Sequence, residues 1–156
     1  MSCLLVDPII DGVVIRQHFR LKRDIEICNI RVNIYKNVNL AADLTLSLYL
    51  DDTLIATSDT ISAQDLNLEM TEDYAYGMVR FDFEGFVNLH VREGEPETEY
   101  EWRLESNGGT DTNYLAAVRQ WEHPTIRIYY ADQVEQLEGP NDAVEPYGFE
   151  IYTNKI

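Results

Sequence analysis

Between Asn113 and Pro124 the chain reads NYLAAVRQWEHP, which puts a Tyr, an Arg, a Gln, a Trp, a Glu and a His into twelve residues. That inventory suits an active site, a sugar platform or one strand with a decorated face. Taken in alternation, Leu115, Ala117, Arg119, Trp121 and His123 share one side. Tyr114, Ala116, Val118, Gln120 and Glu122 share the other. Arg, Trp and His therefore cannot converge with Gln and Glu on an extended backbone, where successive side chains point to opposite faces. A strand from about Tyr114 to Trp121, stopped by Pro124, is the economical reading. Its mixed faces suit a sheet edge or a surface beneath a partner, with Arg119 and Trp121 as the expected anchors.

Elsewhere the residues that could do chemistry are scattered. Nucleophilic catalysis needs Ser or Cys beside a His that an acid orients. No GxSxG elbow is present, and His18, His90 and His123 fall within strand patterns or at a strand end. Carboxylate pairs for glycoside hydrolysis are numerous, because there are 28 acids. Glu101 and Glu105 sit on the wet side of one alternating run, where charges ordinarily solvate an outer face. Asp51-Asp52, Asp111 with Asn113, and Asn141-Asp142 offer loop oxygens of the kind calcium takes, but turn geometry alone favours the same residues. A structural calcium is the one metal candidate. Two Cys, Cys3 and Cys28, and three dispersed His do not make a zinc site, and free thiols are expected. No enzyme and no cofactor are expected.

A sugar platform needs aromatics beside hydrogen-bonding side chains, and ten Tyr supply material. Tyr35, Tyr49 and Tyr129 fall on the wet side of their runs. Tyr49, Arg103, Arg127 and Tyr129 form the candidate sugar set. Outward Tyr residues also make cross-strand pairs or subunit contacts.

The elements that must position these residues are strands. Leu44, Leu46, Leu48 and Leu50 alternate with Thr45, Ser47, Tyr49 and Asp51. Burying each Leu contributes roughly 1.5–3 kcal/mol, which sets the register. Val13, Ile15, Phe19 and Leu21 alternate with Arg16, His18 and Arg20, although Gln17 interrupts the apolar face. Val79, Phe81 and Phe83 form another run, as do Tyr100, Trp102 and Leu104, then Ile126, Ile128 and Tyr130. Phe149 and Ile151 form a short last strand. Ile25 and Ile27 are odd-numbered while Ile30, Val32 and Ile34 are even, which predicts a β-bulge at Cys28-Asn29. Asp51-Asp52 predicts a tight hairpin. Turns are expected at residues 93–96, 106–109 and 139–142, and short helical turns at residues 62–65 and 132–137.

These signals predict an all-β fold, a single-domain β-sandwich or jelly roll of about eight or nine antiparallel strands with little helix. Residues 1–12 are expected as an N-terminal arm and residues 13–152 as the sandwich. A length of 156 residues suits one such domain. No apolar run reaches the length of a membrane span, and the start lacks the marks of a signal peptide.

Net charge is −16, which argues against nucleic acid and anionic membrane as partners. The charge is uneven: residues 1–40 hold six basic residues against four acids, net +2, so the remainder carries −18. Either strand neighbours balance one another, or Arg16 and Arg20 help the N-terminal region dock on an acidic partner.

The series VVIRQHFRLKRDIEICNIRVNIYKN, LTLSLYLDDTLIATSDTIS and VRFDFEGFVNLHVREGEPETEYEWRLES resembles the jelly-roll accessory domains of tailed-phage virions and related carbohydrate-binding modules. Phe19, Leu44 to Leu50, Phe81 and Phe83, Gly94, and Tyr100 to Leu104 take the places of the family's strands and turns. The resemblance covers about residues 13–130 and lies in the strand pattern, so it carries over no binding residue. It implies a non-enzymatic virion structural protein, most simply a capsid-decorating knob or cement protein. Its partners would be the major capsid protein or other virion proteins, with a homo-oligomer expected and the virion as its location. The alternative is a carbohydrate-binding module or tail accessory protein that contacts cell-surface glycans.

Overall fold

The structure, a computed structural model, describes residues 5–37, 40–66, 68–70, 74–120, 125–138 and 145–153. In chain order the strands are β1 (Val6–Ile9), β2 (Ile15–Leu21), β3 (Ile25–Asn37), β4 (Asp43–Leu50), β5 (Thr53–Thr57), β6 (Ile61–Ser62), β7 (Glu69–Met70), β8 (Tyr74–Leu89), β9 (Thr98–Ser106), β10 (Leu115–Val118), β11 (Thr125–Tyr129), β12 (Val134–Glu138) and β13 (Phe149–Thr153). They build the expected β-sandwich. The larger sheet runs β1-β10-β3-β13-β11-β12, with β8 also on β3 and β7 beyond it. The smaller runs β2-β9-β4-β5, with β6 on β4. Among the described residues the helix is confined to one 3-10 turn, Ala63–Asp65. The Ser62 hydroxyl caps it by accepting from the Gln64 amide, as expected there.

The alternating Leu run of β4 is buried at Leu44, Leu46 and Leu48. The aromatic centre joins both sheets. Phe19 of β2 and Trp102 of β9 meet Phe149 of β13 edge-on, with ring centroids 5.3 and 5.5 Å apart. Such geometry contributes about 0.5–1.5 kcal/mol per pair beyond burial. Gln17, which breaks the apolar face of β2, is fully buried but satisfied. Its Oε1 accepts from the Tyr147 amide and its Nε2 donates to the His18 carbonyl.

The bulge falls where the parity change places it. Opposite β13 the register passes from Tyr152↔Asn29 to Thr153↔Ile27, so Cys28 is the extra residue. Opposite β8 it jumps from Val87↔Ile27 to Asp82↔Asn29, and β8 loops out with Gly85 at φ +66°. Both apolar sets of β3 thereby face the core. The Cys28 thiol is free and donates to the Tyr152 carbonyl. Cys3 lies outside the described residues.

Four expectations change. Residues 6–9, expected within an arm, form β1 and pair with β10 from Val6↔Val118 to Ile9↔Leu115. The strand expected from Tyr114 to Trp121 with mixed faces is shorter, and its four residues are all buried. It lies between β1 and β3 rather than at an edge. Its Ala116 and Ala117 carry too little side chain for alternation to show. Residues 132–137, expected as a helical turn, contribute instead to β12, which pairs with β11. Lastly, there are thirteen strand segments among the described residues, and β11 pairs with β13 in parallel. After β12 the chain crosses back to insert β13 between β11 and β3, and a parallel pair needs such a crossover.

Candidate functional site

The richest cluster of chemistry-bearing side chains lies on the outer face of the smaller sheet. The β2–β9 register sets His18 opposite Glu101 and Arg16 opposite Arg103. Glu101 is buried, with its carboxylate 3.1 Å from His18 Nε2 and 3.9 Å from Arg16 Nη1, and it accepts from Arg103 Nε. The other His18 nitrogen, Nδ1, lies 2.7 Å from Glu145 Oε1, which also accepts from the His18 backbone N–H. Both ring contacts are donated only when both nitrogens carry hydrogen. The imidazole thus bridges β9 to the segment that leads into β13. Tyr147 in that segment donates its hydroxyl to Asp7. Burial, followed by this bond, pushes the Tyr147 phenol far above its ordinary value.

Beside this cluster is a shallow cleft of about 220 Å³, lined by His18, Tyr49, Asp51, Asp52, Glu99, Tyr100 and Glu101. Asp51 and Asp52 form the predicted two-residue turn, both with positive φ (49° and 63°). Their carboxylates face arginines: Asp51 accepts from Arg92, and Asp52 from Arg103 at 2.8 Å. The bond to Asp51, and then that to Glu95, raises the Arg92 pKa. Among the described residues no three His, Cys, Asp or Glu side chains gather as a metal site. The calcium candidates Asn141 and Asp142 lie outside the described residues.

The candidate sugar set divides between the sheets. Tyr49 and Arg103 belong to the smaller sheet, where the guanidinium sits 3.8 Å over the Tyr49 ring. Arg127 and Tyr129 lie on β11 in the larger sheet. The core separates the two pairs, so they cannot share one platform. Tyr129 stacks on Tyr152 of β13, with centroids 4.6 Å apart and planes 4° from parallel. Arg31 lies 3.8 Å over the Tyr152 ring. Glu150 accepts from both hydroxyls, at 3.0 Å each. Burial first, then the bond to Glu150, raises both phenol pKa values.

The expected interface residues are also dispersed. Arg16 and Arg20 project from the outer face of β2, about half exposed, toward Glu101 and Glu97. Arg119 follows β10 and pairs with Asp7 at 2.7 Å. Trp121 and His123 lie outside the described residues. Among the described residues, three of the six N-terminal cations meet acids of the remainder: Arg16 and Arg20 as above, and Arg23, which faces Glu135 at 3.6 Å and lies over Tyr130. That matches the balancing of strand neighbours within one fold.

Sequence reading missed Glu145, which sits beyond the last loop with no strand pattern around it. It also missed Asn33, and it read Gln120 only as part of the mixed inventory of residues 113–124. Both line a depression of about 120 Å³ on the outer face of the larger sheet, with Met78, Val118, Thr125, Arg127, Gly148, Phe149 and Glu150. Only the outward parity of Asn33 between the core residues Val32 and Ile34 was there to be read. Among the described residues no helix is long and apolar enough to cross a membrane. No protein-family model matches the chain, and no curated protein is significantly similar to it.

Proposed function

We propose that this chain is a non-enzymatic structural component of a tailed-phage-like particle, docking on its lattice as a capsid-decorating protein. The carrying observation is that its reactive-looking side chains are occupied by one another. The His18 ring fills the space between Glu101 and Glu145 that water and a sugar would need in glycoside hydrolysis. Arg103 covers one face of Tyr49, and Tyr152 covers one face of Tyr129. What the molecule offers is a rigid acidic block. The strand-pattern resemblance supplies the particle. Density-gradient purification of particles from the native source tests this reading. The chain is expected in the particle band at a fixed ratio to the major capsid protein. Recovery solely as free protein at the top of the gradient would overturn it.

The second reading, a module contacting surface glycans, is favoured by one observation, the depression beside Arg127. Its polar lining is not fully engaged within the fold.

A further inference from the structure

We infer that the depression on the outer face of the larger sheet is a subsite for one neutral sugar residue, seated edge-on against Asn33, Gln120, Arg127 and Glu150. The inference rests on the glycan-contact reading and is independent of docking on a particle.

Asn33 Oδ1 is buried and has no hydrogen-bond partner. Buried acceptors are ordinarily satisfied, and leaving one unpaired costs about 1–3 kcal/mol. Asn33 therefore calls for a donor from outside the described fold. Gln120 supplies the opposite chemistry. Its Oε1 accepts from the Thr125 amide, which leaves Nε2 as a donor. Its amide lies so close over Gly148 that a Cβ there would come within 2.4 Å, so a glycine is what seats it.

Charge selects the ligand class. Arg127 and Glu150 are direct neighbours in the β11–β13 register. Glu150 is held by the Tyr129 and Tyr152 hydroxyls, yet each oxygen keeps a lone pair for a further donor. Arg127 lies beside the Tyr129 hydroxyl, with which it interacts by hydrogen bond and charge. The rim is thus a balanced pair of opposite charges that favours neither anion nor cation. A lining that holds both donors and acceptors matches hydroxyl groups, each of which both donates and accepts. Met78 and Val118 add an apolar wall for the C–H edge of a ring. The volume equals about four waters at ~30 Å³ each, room for the hydroxyl edge of one ring. Contact this limited predicts a Kd on the order of 1 mM.

The test is an NMR titration of the isotope-labelled chain with methyl glycosides of glucose, galactose, mannose and N-acetylglucosamine, to tens of millimolar. At least one is expected to shift the side-chain amide signals of Asn33 and Gln120 and the backbone signal of Gly148. Asn33→Leu, an outward-facing change that leaves the core intact, should weaken that sugar at least tenfold, and Gln120→Ala less. Anionic sialic acid should shift none of these signals. Shifts confined to other residues would overturn the subsite while leaving glycan contact standing. No shift with any glycoside would overturn both. Equal shifts with glycerol would mean a generic polyol crevice and overturn the assignment to a sugar.

Discussion

The two outer faces of the sandwich decorate the same kind of surface by different physics. On the smaller sheet Glu101 is a buried charge held by Arg103, His18 and Arg16, and Glu145 holds the far side of His18. On the larger sheet the column Arg31–Tyr152–Tyr129 is held by stacking, with one carboxylate, Glu150, collecting both hydroxyls. The first arrangement is an ion network, in which removing one member leaves charges without partners. The second is a ladder of stacked planar groups, in which losing one member removes its own contacts and leaves the rest of the stack in place. The first face should therefore fail abruptly and the second by degrees.

Glu101→Ala carries the largest expected effect, a loss of about 3 kcal/mol, because breaking a buried pair leaves an uncompensated charge. Arg103, mostly buried, would keep the exposed Asp52 as its one remaining carboxylate among the described residues, beside the Tyr49 ring. Replacing Glu101 and Arg103 together with apolar residues should cost less than the single change. Urea denaturation of both variants checks this. A single-variant loss below about 1 kcal/mol would place the pair with ordinary surface ion pairs and end the contrast.

On the other face, Tyr152→Ala should cost about 1–2 kcal/mol, one aromatic pair and one cation–π contact. The ladder also has a pH signature. Burial and the bond to Glu150 raise the Tyr129 and Tyr152 pKa values above the ordinary 10.0. Their contribution is complete below that value and declines as pH rises through the higher folded values, since the unfolded phenols ionise first. Tyr152→Phe keeps the stack and removes one titrating hydroxyl. The alkaline fall of its melting temperature should be shallower than that of the parent. An identical slope would show that the fall arises elsewhere.

How legible these faces are in the sequence follows from how each is built. The Leu run of β4, the parity change at Cys28 and the Asp51-Asp52 turn are local, so period and turn chemistry reveal them. β10 was misplaced because Ala116 and Ala117 are buried without the bulk that marks an apolar face. The cluster around His18 was hidden for another reason. Glu101 and Glu145 are 44 positions apart, and only the crossover that inserts β13 brings Glu145 to β2. The wet-face Tyr residues were visible, but their division between the sheets depends on strand order, which alternation does not encode.

The smallest expected effect lies where the ion network meets solvent. Asp52 sits at φ 63° in the turn between β4 and β5, where a non-glycine residue is strained. Its carboxylate bonds Arg103 at 2.8 Å but is 91% exposed, so the pair should contribute little. Asp52→Gly trades that weak contact for a backbone suited to the second position of such a turn, as Asp-Gly pairs are. A gain of up to about 1 kcal/mol is expected, read as a higher urea midpoint at unchanged slope. A loss instead would mean that Arg103 needs its outer carboxylate to hold Glu101, and that the network's strength extends to its exposed rim.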